Sequence, residues 1–138
     1  MVTESKGSEY IIRQIDHPIF SLQLRSDGIV QMNTGPDAYF TIKEAREYVE
    51  ALEQITEGKP HLILKIPGLH ASVDSETRMY VATPEALRFS LAEAVVVNNI
   101  AQRILGNFYI KFDKPPVETR LFDTVEDAEN WLATFNLL

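Results

Sequence analysis

The sequence predicts a single-domain α/β fold: a mixed sheet of four to six strands, opened by an antiparallel hairpin, with helices packed on it. Three observations carry that expectation. The short apolar run Ala94 to Val97 stops at Asn98 and Asn99, and a helical pattern begins there. Such a run suits a strand covered on both faces, and Asn98 or Asn99 can offer a side-chain oxygen to the first free N–H groups of the next helix. Phe20, Leu22 and Leu24 alternate with Ser21, Gln23 and Arg25, and Ile29-Val30-Gln31-Met32 follows after Ser26-Asp27-Gly28. Period two interrupted by Asp-Gly is a hairpin pattern. Finally, Ile42, Ala45, Val49, Leu52 and Ile55 recur at helical spacing before a new apolar run, His61 to Ile66. A hairpin, a helix and a strand in that order imply a parallel crossover.

In chain order, residues 1–9 form a polar segment expected to be mobile, and residues 10–138 form the domain. Tyr10 to Arg13 makes a short edge strand ahead of His17-Pro18. Gly35-Pro36-Asp37 closes the hairpin. Thr41 and Glu44 have capping-box form, a hydroxyl three residues before a carboxylate. Glu44, Glu47, Glu50, Glu53 and Glu57 read as a solvated helix face rather than a cation site, and Gly58 with Lys59-Pro60 ends the helix. Asp74 or Ser75 caps a helix through Glu76, Met79, Tyr80 and Ala82. Thr83-Pro84-Glu85 looks like a second start, with proline at the first helical position, so residues 74–90 read as two short helical pieces. In the helix after Asn99, Ile100, Ile104, Leu105, Phe108 and Phe112 are expected to form the buried stripe. Gly106 inside it costs roughly 1 kcal/mol against alanine, which close packing on the sheet would explain. A phosphate-approach glycine belongs at a helix start instead. Pro115-Pro116 is a stiff connection, Thr119 to Phe122 the last strand, and Thr124 caps a helix from Val125 to Phe135.

The chain has 138 residues, 45% of them hydrophobic and 24% charged, with a net charge of -7 and no cysteine. A chain of this size buries roughly 65–70% of its unfolded surface, enough for a core without staples. Disulfides, thiolate metal sites and a cysteine nucleophile are excluded. The acidic balance disfavours nucleic acid as a partner. No run approaches the ~20 apolar residues that span a bilayer, and the polar start does not resemble a signal peptide. A cytoplasmic protein without integral membrane association is expected.

The order of elements, together with several segments, resembles a known family. The segments are Ser75-Glu76-Thr77-Arg78, Ala92-Glu93-Ala94-Val95-Val96-Val97-Asn98-Asn99, Arg103-Ile104-Leu105-Gly106-Asn107-Phe108, Lys114-Pro115-Pro116-Val117-Glu118-Thr119-Arg120-Leu121-Phe122, and Glu126-Asp127-Ala128-Glu129-Asn130-Trp131-Leu132. From about Phe20 to Phe135 the chain is similar to small bacterial proteins with the fold of the sporulation anti-sigma-factor antagonist, the STAS fold, in the branch grouped with lipid-binding SEC14-type domains. The resemblance implies a STAS-like α/β domain and a non-enzymatic regulatory or protein-interaction module. In the antagonists a serine beside an aspartate, at the start of the helix after the third strand, is phosphorylated. The resemblance places that region at Asp74 and Ser75, whose other reading is a helix cap. Glu76-Thr77-Arg78 departs from the small, glycine-containing residues of the switch pattern, and Glu76 would deter a second negative charge.

The catalytic signals are weak. His17, His61 and His70 have no metal-ligand spacing, and no G-x-S-x-G, P-loop or dinucleotide-binding motif occurs. No cofactor is implied. Arg78 is a candidate anion or partner contact, or the cation of a salt bridge to Glu76 or another acid. Met79, Tyr80, Leu87, Phe89, Phe108, Tyr109 and Phe112 are either core, or the lining of an apolar pocket, or a surface buried against a second copy. Met79, Tyr80, Phe108 and Phe112 are the candidate pocket residues. The expected function is therefore an interaction module with an unidentified protein partner, with homodimerisation open. The alternative is a carrier or sensor of a small apolar or lipid-like ligand, and an enzyme with a noncontiguous site ranks last.

Overall fold

The structure, a computed structural model, describes residues 10–135; the segment 1–9, expected to be mobile, lies outside them. The chain begins with three antiparallel strands, β1 (Ile11–Asp16), β2 (Phe20–Arg25) and β3 (Ile29–Thr34). The turn between β2 and β3 uses Gly28 at φ +87°, the left-handed region that an Asp-Gly pair supplies at low strain. The two-residue strand β4 (Tyr39–Phe40) leads into helix α1 (Ile42–Thr56). The Glu44 carboxylate accepts the Thr41 backbone N–H at 2.8 Å and also the Thr41 hydroxyl. The capping box expected from the sequence therefore anchors this helix start.

β5 (His61–Ile66) lies parallel to β3, and β6 (Ser72–Val73) pairs with β4 in a separate two-stranded ribbon that the sequence reading missed. Helix α2 (Ser75–Val81) is capped by Asp74, whose carboxylate accepts the Thr77 N–H at 2.8 Å. The expected second helical piece does not form. Thr83 accepts the Ala86 N–H at 3.2 Å, as a cap would, but residues 84–89 are consecutive turns. Only three residues, Leu87 to Phe89, lie between Ala86 and the start of the next strand, too few to propagate a helix.

β7 (Ser90–Val96), α3 (Ile100–Phe108), β8 (Glu118–Phe122) and α4 (Val125–Leu132) complete the chain. α4 ends three residues before the expected Phe135, in a turn where Phe135 donates back to the Leu132 carbonyl. α3 runs on into one π-helical turn, Tyr109–Asp113. Among the described residues the sheet has six strands in the order β1-β2-β3-β5-β7-β8, with β5, β7 and β8 parallel to β3. This is the expected mixed sheet with its leading hairpin.

Side chains alternate across the sheet, so each strand feeds two cores. On one face Phe20, Leu22, Leu24, Val30, Met32 and Ile63 pack against Tyr48, Val49, Leu52 and Ile55 of α1. On the other, Leu62, Leu64, Ala92, Ala94 and Val96 pack against Ala128 and Leu132 of α4. Each fully buried leucine or isoleucine contributes roughly 1.5–3 kcal/mol. Arg25 is buried on the α4 face because it is paired: it binds Asp27 at 2.7 Å and Glu129 at 2.8 Å, tying β2 to α4.

Of the expected stripe of α3 only Leu105 faces inward. Ile100 is 76% exposed, Ile104 64% and Phe112 60%, and Phe108 is also exposed. The residues turned inward are Gln102, Leu105, Gly106 and Tyr109. Two stripes of similar spacing run along this helix, and hydrophobic periodicity alone does not say which one meets the sheet. Gly106 suits the inward side, because a side chain there would force its neighbour on the sheet to shift. A Cβ there would come within 2.8 Å of the Leu121 side chain on β8. The packing role expected for this glycine holds.

Candidate functional site

The space under α3 is not filled. A cavity of about 210 Å³, partly open to solvent, lies between α3, the end of α2 and the sheet. The strands contribute alternate residues of one face: Thr34 from β3, Lys65 from β5, Glu93 and Val95 from β7, and Thr119 and Leu121 from β8. Val81, Val97, Leu105 and Phe40 make most of the remaining wall hydrocarbon.

A charge pair sits in that wall. The Lys65 ammonium is 3.0 Å from Glu93 Oε1, and Ser90 donates its hydroxyl to Glu93 Oε2 at 2.9 Å. Glu93 is almost completely buried, so the ammonium and the hydroxyl replace the water it gave up. The Lys65 ammonium also faces the Tyr48 ring of α1, 5.2 Å from its centroid. The Tyr48 hydroxyl is buried with no hydrogen-bond partner among the described residues. Burial, and then the Glu93 charge, pushes the Tyr48 and Tyr109 phenols well above the ordinary tyrosine range. Both stay protonated at any physiological pH.

Polar fasteners hold the cover. At its start, Asn99 caps α3 by accepting the Gln102 N–H at 2.9 Å. Asn98, Asn99 and Gln102 donate their side-chain amides to the carbonyls of Pro67, Leu69 and Gly68, at 2.7–2.9 Å. At the far end, Arg78 of α2 meets Asp113 of the π turn at 2.6 Å and lies 4.7 Å over the Phe108 ring. Tyr109 donates to the Val81 carbonyl at 3.2 Å.

The sequence-level candidates distribute as follows. Asp74 is the helix cap, its carboxyl held below the usual range by the hydrogen bonds from Thr77. Ser75 is exposed at the first residue of α2. Arg78 forms a salt bridge, with Asp113 as partner in place of Glu76. It also contributes to the cavity wall. None of the four expected pocket residues lines the cavity. Met79, Phe108 and Phe112 are exposed on the outer surface, and Tyr80 packs against the α1 core. The first three are apolar but lie on the outward faces of their helices. Of the wider expected set, Tyr109 lines the cavity, while Leu87 and Phe89 are core. Lys65, Glu93 and Gln102 were not singled out. A charged residue inside each of two apolar strands, Lys65 in His61 to Ile66 and Glu93 in Ser90 to Val96, was the available signal. The histidines stand apart: His17 bonds Glu47 at 2.9 Å, His61 bonds the Lys59 carbonyl, and His70 lies beside Asp37. Among the described residues no three His, Asp or Glu side chains gather as a metal site, and no helix is long and apolar enough to cross a membrane.

Comparison with known proteins places the fold. An uncharacterised protein from Shewanella loihica PV-4, of the DUF3478 family and described as having a SpoIIAA-like fold, superposes with a TM-score of 0.55 at 14% identity, over 82% of this chain and 91% of that one. A protein with unknown function from Arthrobacter sp. FB24 aligns at 24% identity over 81% of this chain and 97% of that one, with a TM-score of only 0.27. No curated protein matches significantly. The fold is thus the anti-sigma-factor-antagonist type that the sequence resembles. Residues 22–136 match the model of a domain of unknown function, DUF7793, and the chain belongs to that family.

Proposed function

We propose that this protein is a non-enzymatic carrier or sensor of a small apolar ligand, held between α3 and the sheet. One observation supports this most directly: a cavity of about 210 Å³ with mainly hydrocarbon walls lies under a helix none of whose side chains is fully buried. Cores normally close such spaces, because an empty void costs stability in proportion to its volume. Here the fastening amides and the Gly106 contact hold α3 at a fixed height and leave the space unfilled. Native mass spectrometry of the protein, purified without detergent, tests the reading. The expected result is a retained small molecule that dissociates on mild activation. Protein that carries nothing, and that takes up no small apolar compound offered at millimolar concentration, overturns it.

A second reading, a regulatory module working by protein–protein contact, rests on the outer face of the same helix. Ile100, Ile104, Phe108 and Phe112 form an apolar row on its surface, of the kind that marks interaction sites. The two readings join if ligand entry shifts α3 and so changes the face offered to a protein partner. Pull-down with Ile104→Glu as the control tests the second: the same partners captured by both forms would exclude the row.

A further inference from the structure

Resting on the reading of this cavity as a ligand site, we infer that its ligand is an uncharged apolar molecule with one hydrogen-bond acceptor, such as a ketone, ester or amide, seated on the Lys65 ammonium.

The size follows from the volume. A dry cavity of about 150 Å³ is known to hold benzene, so about 210 Å³ takes a ring with a short substituent, about ten non-hydrogen atoms.

The polar end follows from counting what the wall has left to give. Most polar side chains facing the cavity are already engaged. Thr34 donates to the Gly35 carbonyl and accepts the Gly68 N–H. Thr119 donates to the Val117 carbonyl, Tyr109 to the Val81 carbonyl, and the Gln102 amide to the Gly68 carbonyl. Glu93 receives both Lys65 and Ser90. An ammonium has three donors, and Lys65 gives one to Glu93. The others have no hydrogen-bond partner among the described residues; one side of the ammonium faces the Tyr48 ring, and the side chain, 18% exposed, lines the cavity, where an unmet donor is costly. Arg78 is the other cation in the wall, but its Nε is bonded to Asp113 and its guanidinium is stacked over the Phe108 ring.

The absence of ligand charge follows from the ion pairs. Lys65 is matched by Glu93 and Arg78 by Asp113. A carboxylate entering the cavity finds each of these cations already neutralised and lies beside the buried Glu93. Like charges a few ångströms apart repel strongly once water is excluded. A neutral carbonyl takes the free ammonium protons without that repulsion. An aliphatic or aromatic hydrocarbon fills the space but leaves them unmet.

Three probes of one shape separate these cases: acetophenone, ethylbenzene and benzoate, each titrated into the full chain and followed by amide chemical shifts. The expected order is acetophenone tightest, ethylbenzene weaker by about tenfold or more, as for a hydrogen bond to a charged donor, and benzoate weakest. In the doubly neutral variant Lys65→Met/Glu93→Gln, which leaves no unpaired charge, acetophenone falls to the level of ethylbenzene. Equal binding of acetophenone and ethylbenzene to the natural protein, or benzoate as the tightest probe, overturns the inference and leaves the cavity reading standing. A preference that survives in the double variant moves the anchor away from Lys65 and overturns the assignment. If none of the three binds, the cavity reading falls and takes the inference with it.

Discussion

On one face of β7, Ala92, Ala94 and Val96 meet α4, where Ala128 and Leu132 are both 0% exposed. On its other face, Glu93, Val95 and Val97 look into a cavity covered by α3, a helix of similar length with no buried residue. The same strand is thus closely covered on one side and borders open space on the other. The α4 side is held by hydrocarbon contact, with Arg25 and Glu129 at its margin. The α3 side is held by amides at one end and a salt bridge at the other. Close packing and space for a ligand thus lie on opposite sides of this one strand, while further along the sheet the α1 core shares the face of the cavity.

Four measurements sharpen or break that division. Glu93→Ala has the largest expected effect: Lys65 is left as an uncompensated cation, at about 3–5 kcal/mol in urea unfolding. A loss below 1 kcal/mol would mean that the pair is wet, and the contrast between the faces would weaken. Leu132→Ala is expected to cost about 2–5 kcal/mol, against at most about 1 kcal/mol for Leu105→Ala, which only enlarges a space already present. Equal losses at the two positions would contradict a division of labour.

Acid gives a smaller and one-sided effect. Glu44, Glu47 and Asp74 all have lowered pKa values, held down first by hydrogen bonds from Thr41, His17 and Thr77 respectively. A depressed carboxylate stabilises the fold above its unfolded pKa, and that contribution is lost as pH falls through the folded value. All three belong to the starts of α1 and α2. Below about pH 4.5, the ordinary glutamate value, amide protection factors are therefore expected to fall in these helices before α4. Simultaneous loosening of α4 would count against it. The smallest effect is Ile104→Ser, expected within about 0.5 kcal/mol of the natural protein. A larger loss would show that the outer row of α3 is covered.

Most of the fold was legible in the sequence because strands and caps are local. The alternation of Phe20 to Arg25, the Thr41 and Glu44 box, the Asp74 and Asn99 caps and the run ending at Val97 each carry their own signal. The site was much less legible. Periodicity identifies that α3 has an apolar stripe but not which way it turns, and here Gly106 and Leu121 favour one direction through a contact across the fold. Met79, Phe108 and Phe112 looked like pocket residues because they are apolar, yet the cavity takes its character from Lys65 and Glu93. These meet only when β5 and β7 align, and neighbouring strands leave no mark of their register in a single sequence. The two-residue ribbon of β4 and β6 is likewise too short for a pattern.

The outer strands of the sheet have a consequence for how copies of this chain meet. β1 carries Arg13, Gln14 and Asp16 and slips register between Ile11 and Arg13, while β8 alternates Glu118 and Arg120 with its inward residues. Charges and an irregular backbone at both rims discourage one sheet from continuing into the next. Both rims therefore disfavour ribbon-like growth of one sheet into another.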